Sequence, residues 1–271
     1  MPPKLVASDL DGTLLRPDAT VSPRTAAAWS RLADLDIESV VVTARPPRWL
    51  HALEAVVGRH GTAICANGAF VYDVPSHTVK QAHAIPRDLL LEIAAELRDR
   101  FPGVGFLVEL ATGVHVEPDY PGIDLEWTPN DASDWFPEGT VRAPLDRLDP
   151  DAVVGKLLAR RGPVDDEPFV RAVARVLGDR ATVVQSHHGG PAEIAAAGVT
   201  KASGLQRWCD TLDIDAADVW AFGDMPNDLP MLRWAGTSYA MANGHPEVLA
   251  AADHVCASNA DDGVAQILET L

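Results

Sequence analysis

Asp9 and Asp11 flank Leu10 just past a short apolar run, Leu5 to Ser8, and Asp224 and Asp228 follow a second such run, Val219 to Phe222. Thr43 closes the run Val40-Val41-Val42 with a hydroxyl, and Lys201 brings an ammonium to the start of a helical stretch. Two carboxylates beyond one strand, a distant carboxylate pair, a hydroxyl and an ammonium make up a set suited to phosphoryl transfer. The lysine offsets charge on the phosphoryl oxygens, and the hydroxyl donates a hydrogen bond to one of them. Hard Mg²⁺ takes oxygen ligands and keeps waters, so one or two carboxylates and a phosphate oxygen suffice to hold it. Asn67 also stands at an expected strand end, although Asn67-Gly68 read alone is a turn signal.

These residues can meet only if the elements before them line up in one sheet, because ligands of a parallel α/β sheet bind at the carboxyl ends of its strands. The first third alternates in that way. Leu5 to Ser8 reads as a strand, Ser22-Pro23 as an N-cap opening a helix through Leu35, and Ile37 to Val42 as a strand. A helix through Trp49, Leu50, Leu53 and Val57 and a strand over Thr62 to Ala66 follow. The last third repeats the style, with helices over Thr200 to Leu212, Pro226 to Trp234 and Asp261 to Leu271. Its strands are Val219 to Phe222, Ser238 to Met241 and His254 to Cys256. Continuous apolar strands separated by helices predict a parallel sheet covered on both faces.

The middle differs. A helical face (Leu89, Ile93, Leu97) precedes a hairpin of Phe106 to Leu110 with Val114 to Glu117. A strand over Val153 to Ala159, a helix over Phe169 to Leu177 and a strand over Thr182 to Ser186 come after it. That order predicts an inserted α+β domain at 82–191, the α/β core comprising 1–81 and 192–271. The acid- and proline-rich stretch 120–150 carries no assigned element.

Composition narrows the chemistry. The 271 residues carry a formal charge of −17, with no concentrated basic patch. Nucleic acid and anionic lipid are therefore not expected partners. A phosphorylated metabolite would be repelled too, unless a metal and a lysine supply local positive charge. Three scattered cysteines without CxxC spacing read as buried free thiols. No apolar run approaches the ~20 residues that span a bilayer. A cytoplasmic protein, monomer or homodimer, is the expectation.

The motifs also resemble a family. Asp9-Leu10-Asp11-Gly12-Thr13-Leu14-Leu15 is similar to the first motif of the haloacid dehalogenase superfamily, and Thr43 to its second. Lys201 in Gly198-Val199-Thr200-Lys201 is similar to the third, and Gly223-Asp224-Met225-Pro226-Asn227-Asp228 to the fourth. Asn67-Gly68-Ala69, Glu193-Ile194, Met231-Leu232, Ser258-Asn259 and Asp262-Gly263-Val264-Ala265 resemble the Cof-like phosphatases within it. The resemblance implies a Rossmann-like core with a large inserted cap, and Mg²⁺-dependent hydrolysis of a small phosphomonoester, sugar phosphates foremost. It makes Asp9 the nucleophile that forms an aspartyl phosphate and Asp11 the general acid and base. Thr43 and Lys201 steady the phosphoryl group. The metal would be held by Asp9, the Asp11 carbonyl and Asp224, with Asn227 and Asp228 either ligating or orienting the ligands. Gly12, Ala44, Arg45 and Asn67 are candidate phosphate or substrate contacts. Ala44 departs from the glycine of many relatives and should crowd its loop slightly. A phosphomutase or a non-catalytic phosphometabolite-binding protein are the alternatives. The first would favour a cluster of cap arginines and the second the loss of Asp9 or Asp11; neither is seen.

Other residues have blander readings. His187-His188 fits a hairpin turn better than a substrate contact, and His115 and Glu117 alternate as the solvated face of a strand would. Trp127 and Trp135 are expected to pack, and Arg45 could reach either phosphate or a carboxylate of the insert.

Overall fold

The computed structural model describes residues 2–51, 53, 58–121, 140–162 and 167–271. The chain forms two compact units. The first comprises Met1–Arg45, Leu50–Gln81 and Thr200–Leu271, and the second Pro46–Trp49 and Ala82–Val199.

The first unit is built on β1 (Leu5–Ser8), β2 (Glu38–Val42), β3 (Thr62–Cys65), β4 (Phe70–Asp73) and β5 (Thr78–Ala82). The sheet gains three further strands from the far end of the chain, β12 (Val219–Gly223), β13 (Thr237–Met241) and β14 (His254–Cys256). Their order is β14-β13-β12-β1-β2-β3-β4-β5. All are parallel from β14 to β3, and β4 runs antiparallel to β3. This is a Rossmann-like sheet. Its central strands are buried along their whole length, which is why they read as unbroken apolar runs. Helix α1 (Pro23–Asp34) makes the first crossover, and the Ser22 hydroxyl accepts the Thr25 N–H at its start. On one face Leu5, Ala7, Val40, Val42 and Ile64 pack with Leu205, Trp208, Met231 and Leu232. Strand order reverses at β1, with β2 on one side and β12 on the other, so a crevice opens at the carboxyl ends of β1 and β12.

The second unit holds α2 (Arg87–Arg100), β6 (Gly105–Leu110), β7 (Val114–Val116), β8 (Val141–Arg142) and β9 (Val154–Arg160). It continues with α3 (Glu167–Leu177), β10 (Ala181–Val184) and β11 (Ala192–Ala196). The sheet order is β10-β11-β9-β6-β7-β8. Both helices lie on one face, where Leu90, Ile93, Leu97, Phe169 and Val173 pack on Phe106, Val108, Leu157 and Ile194.

Several expectations need correction. Residues 192–196 form β11, which pairs with β9 and β10, so the second unit extends to Val199 and not to 191. β4, β5 and a helix over Pro246–Ala251 were not foreseen. His115 and Glu117 are buried, not solvated. His115 Nε2 lies 2.8 Å from the Ala143 carbonyl, and Glu117 accepts from Arg98 at 2.5 Å and from the Leu145 N–H at 3.2 Å. His187-His188 lies in the turn between β10 and β11. The helix expected around Trp49 is a single turn at Pro47–Trp49 as far as it is described; residues 52 and 54–57, like Trp127 and Trp135, fall outside the described residues. The three cysteines are buried and free. Among the described residues no helix is long and apolar enough to cross a membrane.

Candidate active site

All of the residues singled out for chemistry lie in the first unit. Asp9 follows β1 directly, and its N–H donates to the Phe222 carbonyl at 3.0 Å, which ties the ends of β1 and β12 together. The chain then turns back in one wide turn, closed by Leu14 N–H to Asp9 O (3.3 Å) and Leu15 N–H to Leu10 O (2.9 Å). Gly12 sits in that turn at φ 83°, and a Cβ there would run into the Asp224 carboxylate. Conformation and space both demand glycine. Thr13 Oγ1 donates to Asp224 Oδ1 at 2.9 Å, and Asn243 Nδ2 donates to the Gly12 carbonyl at 2.8 Å.

Helix α4 (Lys201–Leu212) opens on a reciprocal cap. The Thr200 side chain accepts from the Ser203 N–H, and the Ser203 hydroxyl accepts from the Thr200 N–H. Lys201 is thereby fixed as the first helical residue, and its side chain is buried. Its Nζ donates to Asp9 Oδ1 at 2.5 Å and to Asp228 Oδ1 at 2.6 Å. Asp228 Oδ2 accepts the N–H groups of Asp224 and Met225, both at 3.0 Å. Both oxygens of this fully buried carboxylate are therefore engaged, which suits orienting its neighbours better than ligating a metal.

Thr43 follows β2, is buried, and accepts the Arg45 N–H on its hydroxyl at 3.1 Å. Its carbonyl accepts the Asn67 N–H at 3.0 Å. Asn67 Oδ1 in turn accepts from Asn227 Nδ2 at 3.2 Å, while among the described residues Asn227 Oδ1 is buried without a partner. Ala44 lies half-buried between Thr43 and Arg45. Arg45 has a partner that was not foreseen. Its Nε and Nη2 grip the exposed Asp11 carboxylate at 2.8 and 2.6 Å.

The charges do not balance. Asp9, Asp224 and Asp228 each bring an oxygen within 4.8 Å of the others, against one ammonium. Burial pushes the Asp9 carboxyl well above its ordinary range. Lys201 pulls it back, and Asp228, Asp224 and Asp11 push it up again. Asp224 is raised to about 7, first by burial and then by Asp228. Burial lowers the Lys201 ammonium, but Asp228 and Asp9 outweigh that and hold it above the usual lysine range. Crowded, desolvated carboxylates of this kind can bind a metal, since a cation would relieve their repulsion.

The structure thus joins Asp9, Gly12, Lys201, Asp224 and Asp228 in one cluster, Thr43, Asn67 and Asn227 in a second chain of contacts, and Arg45 with Asp11. Thr13 and Asn243 were not singled out from sequence. Thr13 stood inside the first motif, whereas nothing local to Asn243 marks it.

A family model described as haloacid dehalogenase-like hydrolase matches residues 6–268. The pyridoxal phosphate phosphatase YbhA of Escherichia coli is 28% identical over 270 residues, spanning 99% of this chain and 98% of that protein. The 5-amino-6-(5-phospho-D-ribitylamino)uracil phosphatase YitU of Bacillus subtilis is 29% identical over 277 residues, spanning 98% and 97%. A solved structure of a phosphatase of the haloalkanoate enzyme superfamily from Bacteroides thetaiotaomicron covers 99% of this chain and 95% of its own, with a TM-score of 0.81 at 25% identity.

Proposed function

The chain belongs to the haloacid dehalogenase-like hydrolase family, and from that premise we propose that it is a Mg²⁺-dependent phosphatase of small phosphomonoesters that works through an aspartyl phosphate on Asp9. The observation that carries the reading is Lys201 Nζ, buried between Asp9 and Asp228 at 2.5 and 2.6 Å. An ammonium there pulls the buried Asp9 carboxyl back towards its anion and stands ready to offset phosphoryl charge. The two relatives are named for pyridoxal phosphate and for a ribityl phosphate, both compact esters, which supports a compact metabolite as substrate. Sugar phosphates are the leading class.

Asp9 attacks phosphorus in line as the alkoxide leaves, and water then cleaves the aspartyl phosphate and regenerates the carboxylate. Asp11 gives the leaving oxygen its proton and later takes one from the water. For that, Arg45 has to release Asp11, because the guanidinium engages both carboxylate oxygens and holds them away from the leaving group. Thr43 offers a hydroxyl to the phosphoryl oxygens. The all-oxygen donor set of Asp9, Asp224 and the Asp11 carbonyl fits Mg²⁺, and Asp228 holds Lys201 and the Asp224 loop in place. When bound, the metal neutralises charge on the phosphoryl oxygens and favours the Asp9 anion. The second unit is assigned the role of a cap that selects substrates.

The test is phosphate release from p-nitrophenyl phosphate and a panel of phosphometabolites, with Mg²⁺ and with chelator. Asp9→Asn should abolish turnover with the fold intact, and peptide mass spectrometry of the wild type should find phosphate on the Asp9 peptide. Asp11→Asn should lose least with good leaving groups, which need little protonation. Full activity in Asp9→Asn would sink the mechanism, and isomerisation without free phosphate would point to a mutase.

A further inference from the structure

Ala66, Asn67 and Gly68 follow one another at φ 50°, 57° and 99°. Three consecutive left-handed residues, one of them an alanine, form a strained turn that persists only when its surroundings over-determine it. The surroundings are specific. The Ala66 N–H donates to the Arg45 carbonyl at 2.9 Å and the Asn67 N–H to the Thr43 carbonyl at 3.0 Å. Asn67 Oδ1 accepts from Asn227, the neighbour of Asp228. On the helix side a Cβ at Gly68 would strike the Thr200 carbonyl, and one at Gly204 would press on the Gly68 Cα. The turn therefore touches the loop that carries Thr43, the loop that carries Asp228, and the first turn of the helix that presents Lys201.

One side chain clamps this junction. Arg207, in the second turn of α4, donates from Nη2 to the Gly68 carbonyl at 2.6 Å. Burial lowers the guanidinium's pKa, and among the described residues no carboxylate pairs with it. Among the described residues its Nε is buried without a partner. In a chain of net charge −17, a half-buried cation spent on a neutral carbonyl is not explained by ion pairing.

We propose that Arg207 is a positioning residue for phosphoryl transfer: it locks the 66–68 turn against α4 and so fixes Lys201 and Asn227 in register with Asp9 and Thr43. The proposal rests on the phosphatase reading for its kinetic consequence but not for its structural one. The hydrogen bond crosses 139 residues of sequence and joins two of the three stretches of the first unit, Leu50–Gln81 and Thr200–Leu271.

The test compares wild type, Arg207→Met, which keeps the aliphatic stem without a donor, and Arg207→Lys, which keeps a donor of shorter reach. With p-nitrophenyl phosphate and Mg²⁺, Arg207→Met should lose about 10- to 100-fold in kcat with KM changed by less than about threefold, the signature of misplacement without lost binding. Arg207→Lys should recover part of the loss. In metal-free protein, amide exchange at Ala66 and Asn67 should quicken by about tenfold in Arg207→Met while Val40 to Val42 stay protected. The proposal is overturned if kcat of Arg207→Met stays within about threefold of wild type, if both variants lose equally, or if protection at Ala66 and Asn67 is unchanged. Should Arg207→Met not fold, Arg207→Leu, which also lacks a donor, is read by the same thresholds. If the wild type releases no phosphate at all, the phosphatase reading fails alone and amide exchange decides the role of Arg207.

Discussion

Gly12 shows how one missing atom organises the site. Its φ of 83° and the Asp224 carboxylate beside it exclude a side chain, and the Thr13 hydroxyl then reaches the same carboxylate. Gly12→Ala would force either the turn or Asp224 to move. We expect a loss of about 100-fold in kcat/KM, from displacement on the order of 1 Å. The thermal shift on adding Mg²⁺ should shrink in parallel, measured by calorimetry in chelator and in excess metal. An unchanged metal shift would show that Asp224 is not held by this contact. Asp9, Thr43 and Asp224 were legible in sequence because each follows an apolar run, and Lys201 because it opens a helical stretch. Arg45 on Asp11 was not, since a long side chain close to several carboxylates has no local signal that picks one of them.

At the scale of elements, α4 matters most, because its first residue is Lys201. The Thr200–Ser203 cap satisfies N–H groups that the helix leaves open, and it sets where the helix starts. Thr200→Ala should cost about 1 kcal/mol of stability, read as a fall in the denaturant midpoint, together with reduced turnover. If stability falls and turnover does not, the cap holds the helix but not the lysine. The strands of the parallel sheet were readable because burial on both faces makes them uniformly apolar. β5 escaped notice because Thr78–Ala82 alternates exposed and half-buried positions at a sheet edge, and β8 because it is two exposed residues long. Residues 192–196, which form β11, were placed in the core and given no element. Their Ala-Glu-Ile-Ala-Ala pattern puts a carboxylate inside a sheet, and Lys156, 2.6 Å from Glu193, together with the Ser186 hydroxyl that donates to the same carboxylate, makes that burial acceptable.

At the scale of the whole molecule, the unbalanced carboxylates bear on folding stability. Below pH 3.8 an ordinary carboxyl is neutral in folded and unfolded chains alike. As pH rises past that value the unfolded chain ionises, while folded Asp224 keeps its proton to about 7, and Asp9 is displaced in the same direction. The unfolded state then binds fewer protons, so Asp224 should make the metal-free protein lose stability between about pH 4 and pH 7. Acids with lowered pKa, such as Asp73 at about 2, act only at lower pH, while the lowered pKa of His51 works in the opposite sense near neutrality. The useful quantity is therefore the difference from Asp224→Asn in chelator, which should grow steadily over that window. A difference independent of pH would remove Asp224 as the cause.

The position of β1, with β2 on one side and β12 on the other, also governs how the protein can be made. β12 leaves the ribosome about 200 residues after β1, which at ~5–20 residues per second is roughly 10–40 s. Through that interval the strand bearing Asp9 has one edge bare, while the second unit, contiguous from Ala82 to Val199 apart from Pro46–Trp49, is already synthesised. Nascent chains stalled after Val199 should show protease-resistant fragments from 82–199 and rapid cleavage within 1–81. A bare edge of that kind is a standing invitation to misassembly, so translation speed and chaperone supply, more than final stability, should govern the yield of native protein.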